Sequence, residues 1–577
     1  VTIPVLGRAI PRDWSWSRLT DLVIFAAGLA LLYGMLSLAH SWLRPVEATA
    51  VIRQDPTVLP LYAFYSLARM TLAYLLSLAF TLVYGYVAAT NKSAEKLMLP
   101  LLDVLQSIPV LSFLPGVILA MVALFPRSQL GIELGSILLI FTGQVWNMAF
   151  SFYSSIKSIP RELYEASRMC RFSWYHRFFR LELPYAAIGL VWNSMMSVAG
   201  GWFFLMACET FVLGGRDFRL PGLGSYLQTA ANAGDTRNIF WGLTALVSVI
   251  VLLDVFLWRP VIAWAEKFKF EQVESASGGA QSKVLDVIQA SPAIAYLRRK
   301  LVRPVAERFS EFFADRGGAD EEPGEPSPVR IWAGRAVAAL VSLGIAYAVT
   351  RAAAVMGTLK GAELKELGVA AGLTFLRVLV ALSIGAAWTI PFGVFVGLHP
   401  KLARIVQPIA QVAASVPATA LFPVVLLVLI RLGGGLGIGA ILLMLLGTQW
   451  YILFNVIAGA MAIPTDMKEA ARVFRFRNLD QWRLLILPGI FPYLITGLVT
   501  AAGGAWNASI VSEYSHFKNE PLSTRGLGAT ISQATDAGNL SLLLAATVVM
   551  ATIVVTTNRL VWRRLYGLAE TRFKLET

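Results

Sequence analysis

Long apolar runs separated by short charged connections organise this chain. A membrane-spanning helix needs about 20 mostly apolar residues, and twelve segments come forward as candidates. In the first half they lie near 19–42, 61–89, 108–125, 132–156, 185–213 and 239–264. In the second half they lie near 331–352, 367–397, 416–431, 437–462, 489–513 and 540–562. The third and ninth are short and open on prolines. Between the halves the pattern lapses: residues 265–329 are polar, with SASGGAQS at 275–282 and RGGADEEPGEPSP at 316–328. Such a stretch has little to bury, so its composition predicts partial disorder, with a short helix near 283–313. The expected fold class is an all-α membrane protein of about twelve transmembrane helices. Its expected parts are 1–264 with six helices, a cytoplasmic linker at 265–329, and 330–577 with six more.

The two halves repeat one another. From Pro160 onward they align at a constant offset of 304 residues, pairing Pro160 with Pro464, Pro184 with Pro488, Trp202 with Trp506 and Glu209 with Glu513. Gly222-Leu223-Gly224 pairs with Gly526-Leu527-Gly528, and Trp258-Arg259 with Trp562-Arg563. Upstream the offset is 308, pairing Arg69 with Arg377, Pro109 with Pro417 and Pro115 with Pro423. A unit of six spans is even, so both copies share one orientation and form parallel repeats.

Composition agrees with lipid as the solvent. The chain has 577 residues, 56% hydrophobic and 15% charged, where soluble proteins run near 45–50% and about 25%. A net charge of +14 would raise nucleic acid as a partner for a soluble chain, but no basic module with stacking aromatics is present. The positive-inside rule explains the charge instead. Loop 157–184 carries Lys157, Arg161, Arg168, Arg171, Arg177 and Arg180, and its copy carries Lys468, Arg472, Arg475, Arg477 and Arg483. Placing both in the cytoplasm puts the N-terminus, linker and C-terminus there and turns 43–60 and 214–238 outward. The first apolar run opens a span, with no short leader and small-residue cleavage site before it. Cys170 and Cys208 do not suggest a disulfide framework, and the four histidines have no metal-ligand spacing.

The two basic loops carry the functional signal. One reads Glu165-Ala166-Ser167 and then Leu181-Glu182-Leu183-Pro184. The other reads Glu469-Ala470-Ala471 and then Ile486-Leu487-Pro488. Both resemble the EAA loop of binding-protein-dependent ABC import permeases of the type I fold. TFLR at 374–377 with Gly385 and Gly393, Ser107-Ile108-Pro109 with Pro115, Ser415-Val416-Pro417 with Pro423, and the two Gly-Leu-Gly triplets are similar to the nitrate/sulfonate/taurine/bicarbonate subgroup.

The resemblance implies a multi-pass permease of the bacterial inner membrane. Loops 160–184 and 464–488 would each form a coupling helix, through Glu165, Ala166, Ser167, Arg171 and Pro184, and through Glu469, Ala470, Ala471, Arg475 and Pro488. Each would dock on one of two separate ABC ATPase subunits, and the solute would arrive on an external binding protein. ATP and Mg²⁺ would sit on the ATPases, since no G-x-x-x-x-G-K-[S/T] occurs in this chain to cradle phosphate. The chain would then be no enzyme and need no cofactor or metal. Its solute would be small and often anionic. The family's glycine falls at Arg171 and Arg475, so the turn after each coupling helix is expected to be longer or differently bent. Pro184 and Pro488 are expected to end the loops.

Polar groups in a membrane are costly and mark paths or partners. Gln144 and Trp146, with near-copies Gln449 and Trp450, are placed near mid-membrane. Asn193, Asn507, Trp202 and Trp506 are further path candidates, the alternative being hydrogen bonding between helices. Arg69 and Arg377 are expected to pair with Glu209 and Glu513 at the outer side, the alternatives being the lining of an entrance for an anion and snorkelling to the interface. Pro109 and Pro417 mark either a broken helix beside the path or a loop before the third span of each half. Asp103 and Glu133 have no matched acid in the other half and read as local structure. The competing function is a transporter driven by an ion gradient, which would need ionisable groups at mid-membrane and leaves the paired loops unexplained.

Overall fold

The computed structural model describes residues 51–268 apart from Arg127 and 214–215, and 359–572 apart from 432–434 and 518–519. Trp42 and scattered positions of 282–357 are also described. All but Trp42 of the first expected span, about half of the seventh and most of the linker lie outside the described residues. The chain divides into two compact units. One comprises Val1–Ser41, Ser154–Trp192 and Leu252–Gly324; the other comprises Trp42–Tyr153, Asn193–Val251 and Glu325–Thr577.

The described residues are almost wholly helical. The first repeat contains α1 (Leu59–Thr90), α2 (Lys92–Ser107), α3 (Val110–Leu124), α4 (Leu130–Lys157) and the short α5 (Arg161–Met169). It continues with α6 (Trp174–Glu209), α7 (Leu223–Ala233) and α8 (Thr236–Phe268). The second repeat contains α9 (Gly361–Gly397), α10 (Pro400–Ser415), α11 (Ala418–Arg431), α12 (Leu436–Ala462) and the short α13 (Thr465–Val473). After it come α14 (Asn478–Ser512), α15 (Leu527–Asp536) and α16 (Leu540–Ala569). Two small antiparallel hairpins follow α6 and α14: β1 (Val212–Leu213) with β2 (Arg216–Asp217), and β3 (Tyr514–Phe517) with β4 (Glu520–Ser523).

Eight of these helices, namely α1, α4, α6, α8, α9, α12, α14 and α16, are long and apolar enough to cross a membrane. The third and ninth expected spans differ. A helix of 15 residues such as α3 reaches about 22 Å at 1.5 Å per residue, short of a hydrocarbon core of about 30 Å. Each is instead the second arm of a broken helix. Ile108-Pro109 interrupts α2 and α3, and Val416-Pro417 interrupts α10 and α11 with a bend of 77°.

Local chemistry sets the boundaries. Pro56 opens the turn before α1, and Asp55 accepts from Thr57 N at 3.0 Å; that hydrogen bond holds the Asp55 carboxyl below its usual pKa. Asn91 caps α2 by accepting from Ser93 N and Ala94 N at 2.9 and 3.2 Å. In the second repeat, α12 packs along both α9 and α14. A Cβ on Gly397 would stand 2.7 Å from the Ile457 carbonyl. Such bare backbone lets helices approach where lipid supplies no hydrophobic drive.

Candidate functional site

Loops 160–184 and 464–488 each open on a short helix capped by a proline, Pro160 for α5 and Pro464 for α13. In α5, Glu165 and Ala166 are exposed while Ser167 is buried, its hydroxyl donating to Tyr164 O at 2.7 Å. In α13, Glu469 and Ala470 are exposed and Ala471 is buried. The third residue of each triplet therefore anchors its helix, and the first two face outward. Lys468 is half-buried, and burial pulls its amine pKa down.

The turn that follows corrects the expectation of a longer or altered bend. Arg171 N donates to Arg168 O at 2.9 Å and Phe172 N to Ser167 O at 3.0 Å. Arg475 N donates to Arg472 O and Phe476 N to Ala471 O, both at 3.0 Å. This is the Schellman closure, in which the turning residue takes a left-handed backbone and is usually glycine. Arg171 and Arg475 take it at φ 49° and 50°. Pro184 and Pro488 also differ from expectation. They do not end the loops but lie inside α6 and α14, just after wide helical turns at Phe178–Glu182 and Gln481–Ile486. A wide turn has already loosened the hydrogen-bond ladder there, which accommodates a residue without an N–H.

A buried carboxylate clamp occurs twice, at the ends of α6 and α14. Glu209 accepts from Arg69 Nη1 at 2.8 Å, Ser66 Oγ at 2.6 Å and Gly224 N at 2.7 Å, and Leu223 N donates to Ser66 Oγ at 3.0 Å. Glu513 accepts from Arg377 Nη1 at 2.7 Å, Thr374 Oγ1 at 2.8 Å and Gly528 N at 2.9 Å, and Leu527 N donates to Thr374 Oγ1 at 2.8 Å. Each acid thus sits on the N-terminus of α7 or α15, where free amides favour negative charge. The Gly-Leu-Gly triplets have a geometric cause: a Cβ on Gly222 or Gly526 would collide with the carboxylate of Glu209 or Glu513.

The expected ion pairs are present, and one more acid joins them. Glu133 binds Arg69 through two bonds, Nε to Oε2 at 2.6 Å and Nη2 to Oε1 at 2.8 Å. Its two-oxygen grip on Arg69, and the role of Ser66 and Thr374, were not anticipated. The first clamp therefore holds two carboxylates on one guanidinium, and the second holds one. The side chain of Asp103 lies outside the described ones.

The path candidates fall into distinct settings. Gln144 is fully buried, donating to Met70 Sδ at 3.0 Å, and its Oε1 has no hydrogen-bond partner. Gln449 Oε1 accepts from Trp388 Nε1 at 3.2 Å, so the two glutamines are not equivalent; Thr448 occupies the place of Gln144 at the 304 offset. Asn193 donates to Ser151 Oγ at 3.0 Å, and Asn507 donates to Gly503 O at 3.1 Å with its own Oδ1 unpartnered. Trp146 and Trp450 are half-buried, while Trp202 and Trp506 are enclosed at 1% and 2% exposure. Pro109 and Pro417 are buried at the helix breaks. Past the first break, Ser112 O accepts from Thr547 Oγ1 of α16 at 3.2 Å, a contact between repeats. The repeats also meet reciprocally: α15 touches β1, and α7 touches β3.

Comparison with known proteins matches this arrangement. The family model described as "binding-protein-dependent transport system inner membrane component" matches twice, at residues 81–258 and 389–574. A nitrate import permease protein of Synechococcus elongatus is 29% identical over 153 residues, covering 26% of this chain and 53% of that protein. A bicarbonate transport system permease protein of the same species is 31% identical over 137 residues, covering 24% and 48%. The taurine transport system permease protein of Escherichia coli is 28% identical over 187 residues, covering 32% and 62%. The matched region spans about half the length of the first two relatives. With two matches that together take in well over half of its length, the chain belongs to the inner-membrane component family of binding-protein-dependent transport systems, as a fused, two-repeat member.

Proposed function

We propose that this chain is the membrane subunit of an ATP-driven importer, both halves of its translocation path being carried on one polypeptide. The observation that carries this reading is the twice-built coupling helix. An exposed Glu-Ala pair, a buried anchor residue and a tight left-handed closure recur at the same spacing in loops 160–184 and 464–488. A short rigid helix with an exposed face suits the transmission of force from a separate ATPase, one per loop, and an external binding protein would deliver the solute. The solute class we favour is a small oxyanion or sulfonate, because the relatives are named for nitrate, bicarbonate and taurine.

The test is transport in proteoliposomes containing the chain with the ATPase captured from its native membrane. Uptake of labelled nitrate, bicarbonate or taurine should require ATP and the external binding protein. Uptake driven by an imposed ion gradient without ATP would overturn the reading in favour of a gradient-driven transporter.

A further inference from the structure

We propose that Arg171 and Arg475 are recognition residues, each presenting its guanidinium to a carboxylate on the ATPase subunit that docks on its loop. The proposal rests on the coupling reading above and assigns the chemistry of that contact. Four helices among the described residues end in the same left-handed closure. At α7 and α15 the turning residues are Gly234 and Gly538, at φ 67° and 66°. Their closures are Gly234 N to Ala231 O and Asp235 N to Ala230 O, and Gly538 N to Thr535 O and Asn539 N to Ala534 O, all between 2.8 and 3.0 Å. At α5 and α13 the same position is Arg171 and Arg475, the only non-glycine residues with positive φ among those described.

Glycine takes this backbone freely, whereas a residue with a Cβ takes it at a cost. The chain supplies glycine at two closures and arginine at the two in the coupling loops, so backbone geometry does not account for the arginines. Their side chains do no work inside the chain either. Both are exposed, and neither guanidinium makes a hydrogen bond or ion pair to a described residue.

The surroundings point to an acidic partner. Arg168 and Arg472 lie three residues before, and Arg177 and Arg477 follow, so the loops offer excess positive charge. Beside each arginine the helix tip bares apolar side chains, with Met169 at 86%, Val473 at 79% and Phe474 at 73% exposure. An apolar knob next to an unpaired cation fits a groove with an apolar floor and a carboxylate at its edge. The planar guanidinium suits such a carboxylate through two parallel hydrogen bonds.

The test uses the full chain in nanodiscs, titrated with the ATPase subunit captured alongside it. In the doubles R171G/R475G and R171N/R475N the left-handed backbone is as easy or easier to adopt. Both should melt no lower than the unsubstituted chain yet bind ATPase about 10-fold more weakly or worse, with a shallower salt dependence. The double R171K/R475K should fall between. Unchanged affinity in the Gly and Asn chains would overturn the proposal. So would a lysine chain as weak as the glycine one, or lost binding accompanied by a lowered melting temperature. A failure of the coupling reading itself would show earlier, as no ATPase binding by the unsubstituted chain.

Discussion

At the scale of single residues, the two carboxylate clamps differ by one acid. Arg69 is 1% exposed and serves Glu133 and Glu209; Arg377 is 13% exposed and serves Glu513. Removing one partner of a buried ion pair leaves a charge stranded, at a cost of about 3–5 kcal/mol. Arg69→Met leaves Glu209 with Ser66 and one backbone amide but strips Glu133 of both its hydrogen bonds, whereas Arg377→Met leaves Glu513, the sole acid of its clamp, with Thr374 and two backbone amides. Thermal unfolding in detergent should therefore show a clearly larger loss for Arg69→Met than for Arg377→Met; equal losses would contradict this assignment of the charges. The matched pairs were legible in the sequence because opposite charges recur at the repeat spacing. Glu133 escaped because it has no copy, and looking for symmetry discards single-copy residues. The left-handed Arg171 and Arg475 were illegible for a different reason: the residue type argues against the conformation it adopts, which costs about 1–2 kcal/mol.

Among the elements, the long described spans could be read from apolar run length; α1, α4 and α12 match the expected ends within two residues, whereas α6 and α14 begin eleven residues before their apolar runs, because the helix continues through the charged stretch of the loop. The helices α2 and α10 could not. Each is amphipathic with a proline inside it, Pro100 or Pro408, so neither supplies an uninterrupted apolar run, and the sequence placed only the arm after each break. The short helices α5 and α13 were located by their motif and not by periodicity, since nine residues are too few to show a reliable period. Because Glu165 and Glu469 are exposed, the double substitution Glu165→Lys with Glu469→Lys should leave the melting temperature unchanged. It should abolish ATP-driven uptake and weaken ATPase capture at least 10-fold, by reversing the charge of the exposed acid that each triplet presents to the docked subunit. Normal coupling in that double variant would remove these two helices from the docking contact.

For the whole molecule, the repeat was the most informative property of the sequence, because it set which residues of the two halves correspond. It could not show that the repeats exchange contacts. The α15–β1 and α7–β3 meetings are reciprocal, joining residues more than 280 positions apart. If the spans must part there during a transport cycle, a short bifunctional cross-linker joining one cysteine on β1 to one on α15 should stop uptake. Binding of the ATPase should be unchanged, and the reduced chain should regain activity. Uptake that persists through complete cross-linking would show that these contacts stay closed throughout.

That mutual grip also bears on gene dosage. Each half leans its hairpin on a helix that only the other half provides, and the halves differ at Glu133 and at the tips beside Arg171 and Arg475. A pair made from two first halves, or from two second halves, would be a different machine. Encoding both in one reading frame holds their ratio at one to one. Covalent connection brings the two halves together at an effective concentration on the order of mM, so correct pairing does not depend on how strongly the cell expresses the gene.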